Sequence, residues 1–128
     1  MSKFTLKEIE EIKGRIKFFK LIVDGICLFD EFEKTIEKEG NMRSELRTIE
    51  SRMQLLAGMQ MMPATKFKDI TPSNDKIKEY EIKTHHLRVY MFHETHTGRI
   101  VVLGGKKGSQ DKDIKYFRSL KAQYFNSK

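Results

Sequence analysis

The chain has 128 residues, a net charge of +7 from 25 Lys and Arg against 18 Asp and Glu, 38% hydrophobic residues and one cysteine. That length and apolar content suit one domain over residues 1–128, large enough to fold without disulfide or metal staples. The lone Cys27 cannot close an intramolecular bridge, no charged stub with an apolar run opens the chain, and no apolar stretch nears the roughly 20 residues of a membrane span. A cytoplasmic protein without membrane contact is expected.

In chain order, Thr5-Leu6-Lys7-Glu8 has capping-box spacing with Leu6, Ile9 and Ile12 at helical intervals, which fits a short helix and does not exclude a strand. Arg15 to Val23 is rich in Phe, Ile and Val and ends at the turn formers Asp24-Gly25, so a strand is predicted there. Phe29, Phe32 and Ile36 recur at helical spacing before Gly40, and Met42, Leu46, Ile49, Met53 and Leu56 follow an Asn41 that can cap. These predict helices near 28–39 and 41–58, joined as a helical hairpin. Met59, Met61 and Met62 read as flexible core filler ending at Pro63.

Residues 66–75 look like a surface loop. Tyr80, Ile82, then 87–92 and 100–103 look extended, with a turn at Thr97-Gly98, so an antiparallel meander containing 78–92 and 99–104 is predicted. Gly104 to Ser109 breaks the pattern, and Ile114, Phe117, Leu120 and Tyr124 return to helical spacing. The fold class predicted is α+β: an N-terminal helical hairpin packed on an antiparallel sheet, with a basic C-terminal helix.

Six of the seven excess charges lie in residues 99–128, where Arg99, Lys106, Lys107, Lys112, Lys115, Arg118, Lys121 and Lys128 face only Asp111 and Asp113. Clustered cations attract polyanions by steering and counterion release, so nucleic acid or an acidic protein is the partner this end suggests. The three glycines and two lysines of 104–109, between strand and helix, suggest a phosphate-binding corner, although the order of a nucleotide-binding P-loop is absent. His85, His86, His93 and His96 do not make a metal site: the last pair is three apart in a hairpin turn, not four apart on a helix. Neither metal nor other cofactor is expected, and Cys27 reads as inert.

The order of hairpin, Lys66-Phe67-Lys68-Asp69-Ile70, Tyr80-Glu81-Ile82-Lys83, Leu87-Arg88-Val89-Tyr90-Met91-Phe92, Ile100-Val101-Val102-Leu103, Lys106-Lys107 and a final helix resembles the RelE/HigB toxin superfamily, most closely its phage-derived Gp49-like branch. The resemblance runs from about Phe18 to Phe125 through short motifs. It implies the toxin of a type II toxin–antitoxin pair, a metal-independent messenger-RNA endonuclease that often works on the ribosome and is held by an antitoxin from an adjacent gene. Carried over residue by residue, it implies catalytic roles for Lys83, Arg88, Lys106 or Lys107, and Tyr116. It implies RNA contacts from Lys68, Lys112, Lys115, Arg118, Lys121 and Tyr124. The sequence departs from the pattern where Glu81 replaces a lysine of some members. It departs again where Tyr90 follows Arg88 by two residues rather than three, a shift that turns a strand side chain to the opposite face. Two other functions fit the same resemblance: a catalytically inactive, phage-derived binding module, and a toxin acting on a protein such as DNA gyrase.

Overall fold

The computed structural model describes residues 3–128. Three strands come first, β1 (Phe4–Glu8), β2 (Phe18–Val23) and the two-residue β3 (Ile26–Cys27). Helices α1 (Leu28–Glu39) and α2 (Arg43–Ala57) follow, then β4 (Phe67–Asp69), β5 (Glu79–Lys83), β6 (Leu87–Glu94) and β7 (Gly98–Lys106). A 3-10 turn, Lys107–Ser109, leads into α3 (Gln110–Asn126). The sheet runs β1-β2-β7-β6-β5-β4, with β3 paired to β2. Its ladders are antiparallel except β2–β7, which is parallel from Phe18↔Arg99 to Lys20↔Val101. No helix among the described residues is long and apolar enough to cross a membrane.

The mixed α and β architecture, the antiparallel meander and the C-terminal helix agree with the sequence reading, but the helical hairpin is not N-terminal. Residues 4–8 form an edge strand because they pair with β2 (Phe4↔Val23 to Glu8↔Phe19), which buries Phe4 and satisfies a ladder that a single helical turn before Gly14 would leave open. Gly14 stops nothing. A Cβ there would lie 2.4 Å from the Ala57 carbonyl oxygen, and Ile16 N–H donates to that same oxygen at 3.1 Å, so the glycine lets the loop approach the end of α2.

The two helices of the hairpin lie where periodicity predicts them. Gly40 takes the left-handed conformation (φ 85°) and its N–H donates to Ile36 O, closing α1. The cap of α2 differs: Met42, not Asn41, precedes its first turn without a side-chain bond, and its side chain is buried. Phe29, Phe32 and Ile36 of α1 and Leu46, Ile49 and Met53 of α2 pack on one face of the sheet, against Phe18, Ile82, Leu87, Val89, Met91 and Val101. On the other face Phe117, Leu120 and Tyr124 of α3 cover Leu21, Tyr90, Phe92, Ile100 and Val102. Because β6 is covered on both faces, five of its residues are fully buried, each apolar side chain adding about 1.5–3 kcal/mol.

Two expectations need correction. Met61 is 97% exposed and Met59 58%, so of the methionine cluster only Met62 packs against the core. Residues 67–69 are not loop but the edge strand β4, whose Phe67 stacks on Tyr80 (5.0 Å).

β7 carries a register shift opposite Tyr90 and Met91: Tyr90 faces Leu103 and Met91 faces Val101, leaving Val102 as the extra residue. Val102 and Leu103 therefore both join the α3-side core, and the strand leaves the bulge with its alternation reversed. Gly104 now faces α1, where a Cβ would sit 2.5 Å from the Phe32 ring. Gly104→Ala should cost about 1–3 kcal/mol by overpacking, and Phe32→Leu should recover part of that loss in the double variant. Urea unfolding of the single and double variants checks this; an additive pair of losses would mean the two residues do not compete for the space.

Candidate functional site

Alternation along β5 and β6 sends Glu79, Glu81 and Lys83, and Arg88, Tyr90 and Phe92, to the face that α3 covers. The ladder sets them opposite one another: Lys83↔Arg88, Glu81↔Tyr90, Glu79↔Phe92. Arg88 thus lies on the same face as Lys83 despite the altered spacing to its tyrosine. Two like charges opposite each other repel, and the surroundings offset this. Lys83 Nζ lies 3.8 Å from Glu81 Oε1, and Arg88 Nη1 donates to Thr84 O at 2.7 Å and Leu87 O at 2.8 Å.

The β5–β6 connection that presents this pair is pinned to α2. Glu45 accepts from the Thr84 hydroxyl, from His86 N–H (2.8 Å) and bonds His86 Nδ1 (2.7 Å), while Arg52 donates to Lys83 O. Burial pushes the Glu45 carboxyl up, but the Thr84 and His86 bonds outweigh it and hold the group below its ordinary value. His85 and His86 lie in this connection with rings edge to face at 4.2 Å. Among the described residues no three His, Cys, Asp or Glu side chains converge as a metal ion would require.

The first turn of α3 closes over the cluster. Gln110 Nε2 donates to Glu81 Oε2 at 2.6 Å, and Ser109 Oγ to Asp113 Oδ2 at 2.6 Å. The Asp113 carboxylate lies on Gly105, the residue opposite Arg88, where a Cβ would come within 2.0 Å of it. Three buried polar atoms here make no hydrogen bond among the described residues: Glu81 Oε1, Arg88 Nε and Tyr90 OH. Burial and the nearby Glu81 and Asp113 carboxylates push the Tyr90 phenol well above its ordinary value, so it stays protonated as a donor. Unsatisfied buried groups cost about 1–3 kcal/mol each, so these three atoms lower stability rather than add to it. Chemically it offers carboxylate oxygens that accept a proton, a phenol that donates one, and two cations on one side of them.

The other site residues implied by the resemblance scatter. Lys106 turns away to α1 and bonds Glu39 at 2.8 Å, because the bulge reverses the alternation of β7. Lys107 is exposed in the 3-10 turn, and Gly104 and Gly105 belong to the strand, so no open phosphate-binding loop forms. Tyr116, 49% exposed, lines a cleft with Phe32 and Lys106, apart from Lys83 and Arg88. In the sequence Tyr90 reads as one more aromatic in an apolar strand; its place opposite Glu81 is what singles it out.

The basic helix is also less available than its charge suggests. Arg118 bonds Glu79 (2.9 Å) and Ile70 O (2.7 Å), while Lys121, buried, bonds Asp75 (2.7 Å), Glu79 (2.8 Å) and Ile77 O (2.9 Å). Tyr124 is buried and donates to Glu94 at 2.9 Å. Both side chains, for which the resemblance implied RNA contacts, are buried in this structure and hold α3 to the sheet. Arg99 stacks over Tyr80 at 4.1 Å, and Lys128 pairs with Glu94 at 2.5 Å. Of the eight cations in 99–128, Lys107, Lys112 and Lys115 are exposed and have no ion-pair partner among the described residues; Lys68 of β4, in register with Glu81, is exposed too.

Tyr90→Phe removes an unpartnered buried hydroxyl and keeps the ring, so stability should hold or rise by about 1 kcal/mol in chemical denaturation. A clear loss of stability would reveal a structural bond to the phenol. For Glu45 the folded pKa lies below the ordinary 4.5, so its stabilisation is complete above that value and is lost as the pH falls through the depressed pKa. Glu45→Gln should therefore lie below the native chain in stability at about pH 7 and converge on it as the pH falls through the depressed Glu45 pKa. Parallel curves across that range would show that the Glu45 charge does not hold the hairpin. No protein-family model matches this chain, and neither a curated protein nor a solved structure matches it.

Proposed function

We propose that the chain is the toxin of a type II toxin–antitoxin pair and cuts messenger RNA without a metal ion, on or off the ribosome. The observation that supports this most is the convergence of Lys83 and Arg88 across one rung of the sheet, with Glu81 and Tyr90 on the next. In this reading the RNA 2′-hydroxyl attacks the adjacent phosphorus and the bond to the 5′-oxygen breaks, leaving a cyclic phosphate and a 5′-hydroxyl. Glu81 takes the proton of the attacking hydroxyl. Tyr90 gives one to the departing oxygen and regains it from Glu81, its cross-strand neighbour. Lys83 and Arg88 stabilise the extra negative charge on the phosphoryl oxygens. Tyr90 thus fills the role the resemblance gave to Tyr116. Exposed Lys68, Lys107, Lys112 and Lys115 hold the flanking phosphates. Substrate enters when the first turn of α3 lifts and Gln110 releases Glu81. An antitoxin encoded beside the toxin covers the same cations.

A second reading rests on the burial of the same groups. Glu81 and Tyr90 are 0% exposed and Arg88 is 8% exposed, which suits a non-catalytic binding module on this fold whose polar cluster orients α3.

Induced expression separates the two. The toxin reading expects growth arrest and messenger RNA shortened at discrete positions, cleavage of purified substrate in the presence of a chelator, and a fall of about 10²–10³ in rate for Lys83→Ala, a partly buried residue outside the apolar core. Full growth with intact transcripts at verified soluble expression, and no cleavage on translating ribosomes, selects the binding module.

A further inference from the structure

β7 pairs with β2 only as far as Val101, because Ile22 and Val23 of β2 turn to β3, from which the chain leaves the sheet as α1. From Leu103 to Lys106 the strand is paired on one side alone, to β6. The ladder's alternation says which groups are left over. Lys107 N–H donates to His86 O at 2.8 Å, so that pair is hydrogen-bonded. Opposite residues of an antiparallel ladder alternate, so Arg88–Gly105 is bonded while Leu87–Lys106 and Val89–Gly104 are not. Two further bonds confirm the phase: Thr84 N–H to Leu87 O (3.0 Å) and His93 N–H to Lys78 O (2.9 Å) aim the odd residues of β6 at β5.

Gly104 and Lys106 therefore point their N–H and C=O groups away from β6, into an open cleft of about 350 Å³ between α1 and α3. Leu28, Phe32, Ile36 and Leu103 make its apolar wall; Asp113 and Tyr116 line the α3 side. Beyond the sheet, the one hydroxyl near these backbone groups among the described residues is that of Ser109, 3.1 Å from Lys106 O, and its single proton goes to Asp113 at 2.6 Å.

Two residues apart on one strand, the free groups repeat at about 6.8 Å, the spacing of an extended polypeptide and more than one nucleobase edge spans. The charge of the cleft is specific as well. Asp113 has a hydroxyl for partner and, among the described residues, no cation within ion-pair distance, and Lys106 spends its charge on Glu39. The free charge of the cleft is negative in a protein of net charge +7.

We infer that this cleft docks an extended segment of a partner protein as an added strand on β7, with an apolar side chain toward Phe32 and Ile36 and a basic one toward Asp113. Backbone pairing to Gly104 and Lys106 supplies affinity, and the two walls, met by alternate side chains, supply specificity. The inference does not rest on the nuclease reading, since it uses the sheet edge and not the Lys83–Arg88 cluster.

The test is selection from a library of displayed random 12-residue peptides on the full chain, counter-selected on Thr35→Trp. Thr35 is an exposed residue of the cleft wall, and the indole should fill the cleft without touching the core; a thermal melt verifies the fold of the variant. The expected winners alternate apolar and basic residues, bind the native chain at least tenfold tighter than Thr35→Trp, and slow amide exchange at Gly104 and Lys106. Methylating single peptide amides should weaken binding tenfold or more at every second position and leave the positions between unchanged. No enrichment, equal binding to Thr35→Trp, or a methylation scan without that period would overturn the proposal.

Discussion

Glu79 is a carboxylate with 1% exposure, and two cations from α3, Arg118 and Lys121, reach it at 2.9 and 2.8 Å. Removing one partner from such a buried cluster costs about 3–5 kcal/mol, because the buried charge left behind loses a counterion that water does not replace. The helix therefore has one register on the sheet. Phe117 then falls beside Tyr90 and Phe92, and Gln110, eleven residues or about 16 Å up the helix from Lys121, falls on Glu81. The geometry of the polar cluster at one end of β5 and β6 is thus set by an ion cluster at the other end, and the chemical groups need not hold α3 themselves.

The same anchoring accounts for where the positive charge goes. A segment with a formal +6 looks like a polyanion surface, yet Arg118, Lys121, Lys106 and Lys128 each hold an acid from elsewhere in the fold, and Arg99 lies against aromatic rings. Excess charge along the sequence is a sum over neighbours in the chain; the field a ligand meets is a sum over neighbours in space. Here the acids of β5 and the 70–78 loop cancel much of what residues 99–128 supply. What stays available is a short cationic rim along the first two turns of α3 with Lys68 across from it.

Those features of the fold that depend on local repetition were legible in the sequence. Stripes at 29, 32 and 36, at 46, 49 and 53, and at 117, 120 and 124 face the sheet in all three helices, and Gly40 ends α1 as its conformational freedom suggested. Features that depend on distant pairing were not. Five residues of β1 become a strand only because β2 lies beside them, and the parallel β2–β7 contact has no local signature. At the candidate site, pattern singles out Lys83 and Arg88, and the ladder sets them opposite one another. Tyr116 lies apart from that pair because packing settles which side of a helix faces which strand, and Lys106 because one extra residue at Val102 inverts the strand end. The burial of Lys121 could have been suspected: it falls between Phe117 and Tyr124 on the apolar stripe, but its acid, Glu79, is forty-two residues away.

Gly105 and Asp113 belong to both regions of interest, the polar cluster under α3 and the cleft beside β7. Asp113 shares the first turn of α3 with Gln110, whose bond to Glu81 closes the cluster. A strand that engages Asp113 from the cleft side therefore holds that turn down, and opening the cluster then requires giving up part of the strand's contact. A ligand that prefers the closed arrangement stabilises it by about 2.7 kcal/mol when present at a hundred times its dissociation constant, a hundredfold reduction of the open population. The bulge at Val102 is what makes this linkage available. Without it Gly104 would not turn its backbone into the cleft, Gly105 would not lie under Asp113, and the edge of β7 and the polar cluster would be separate surfaces.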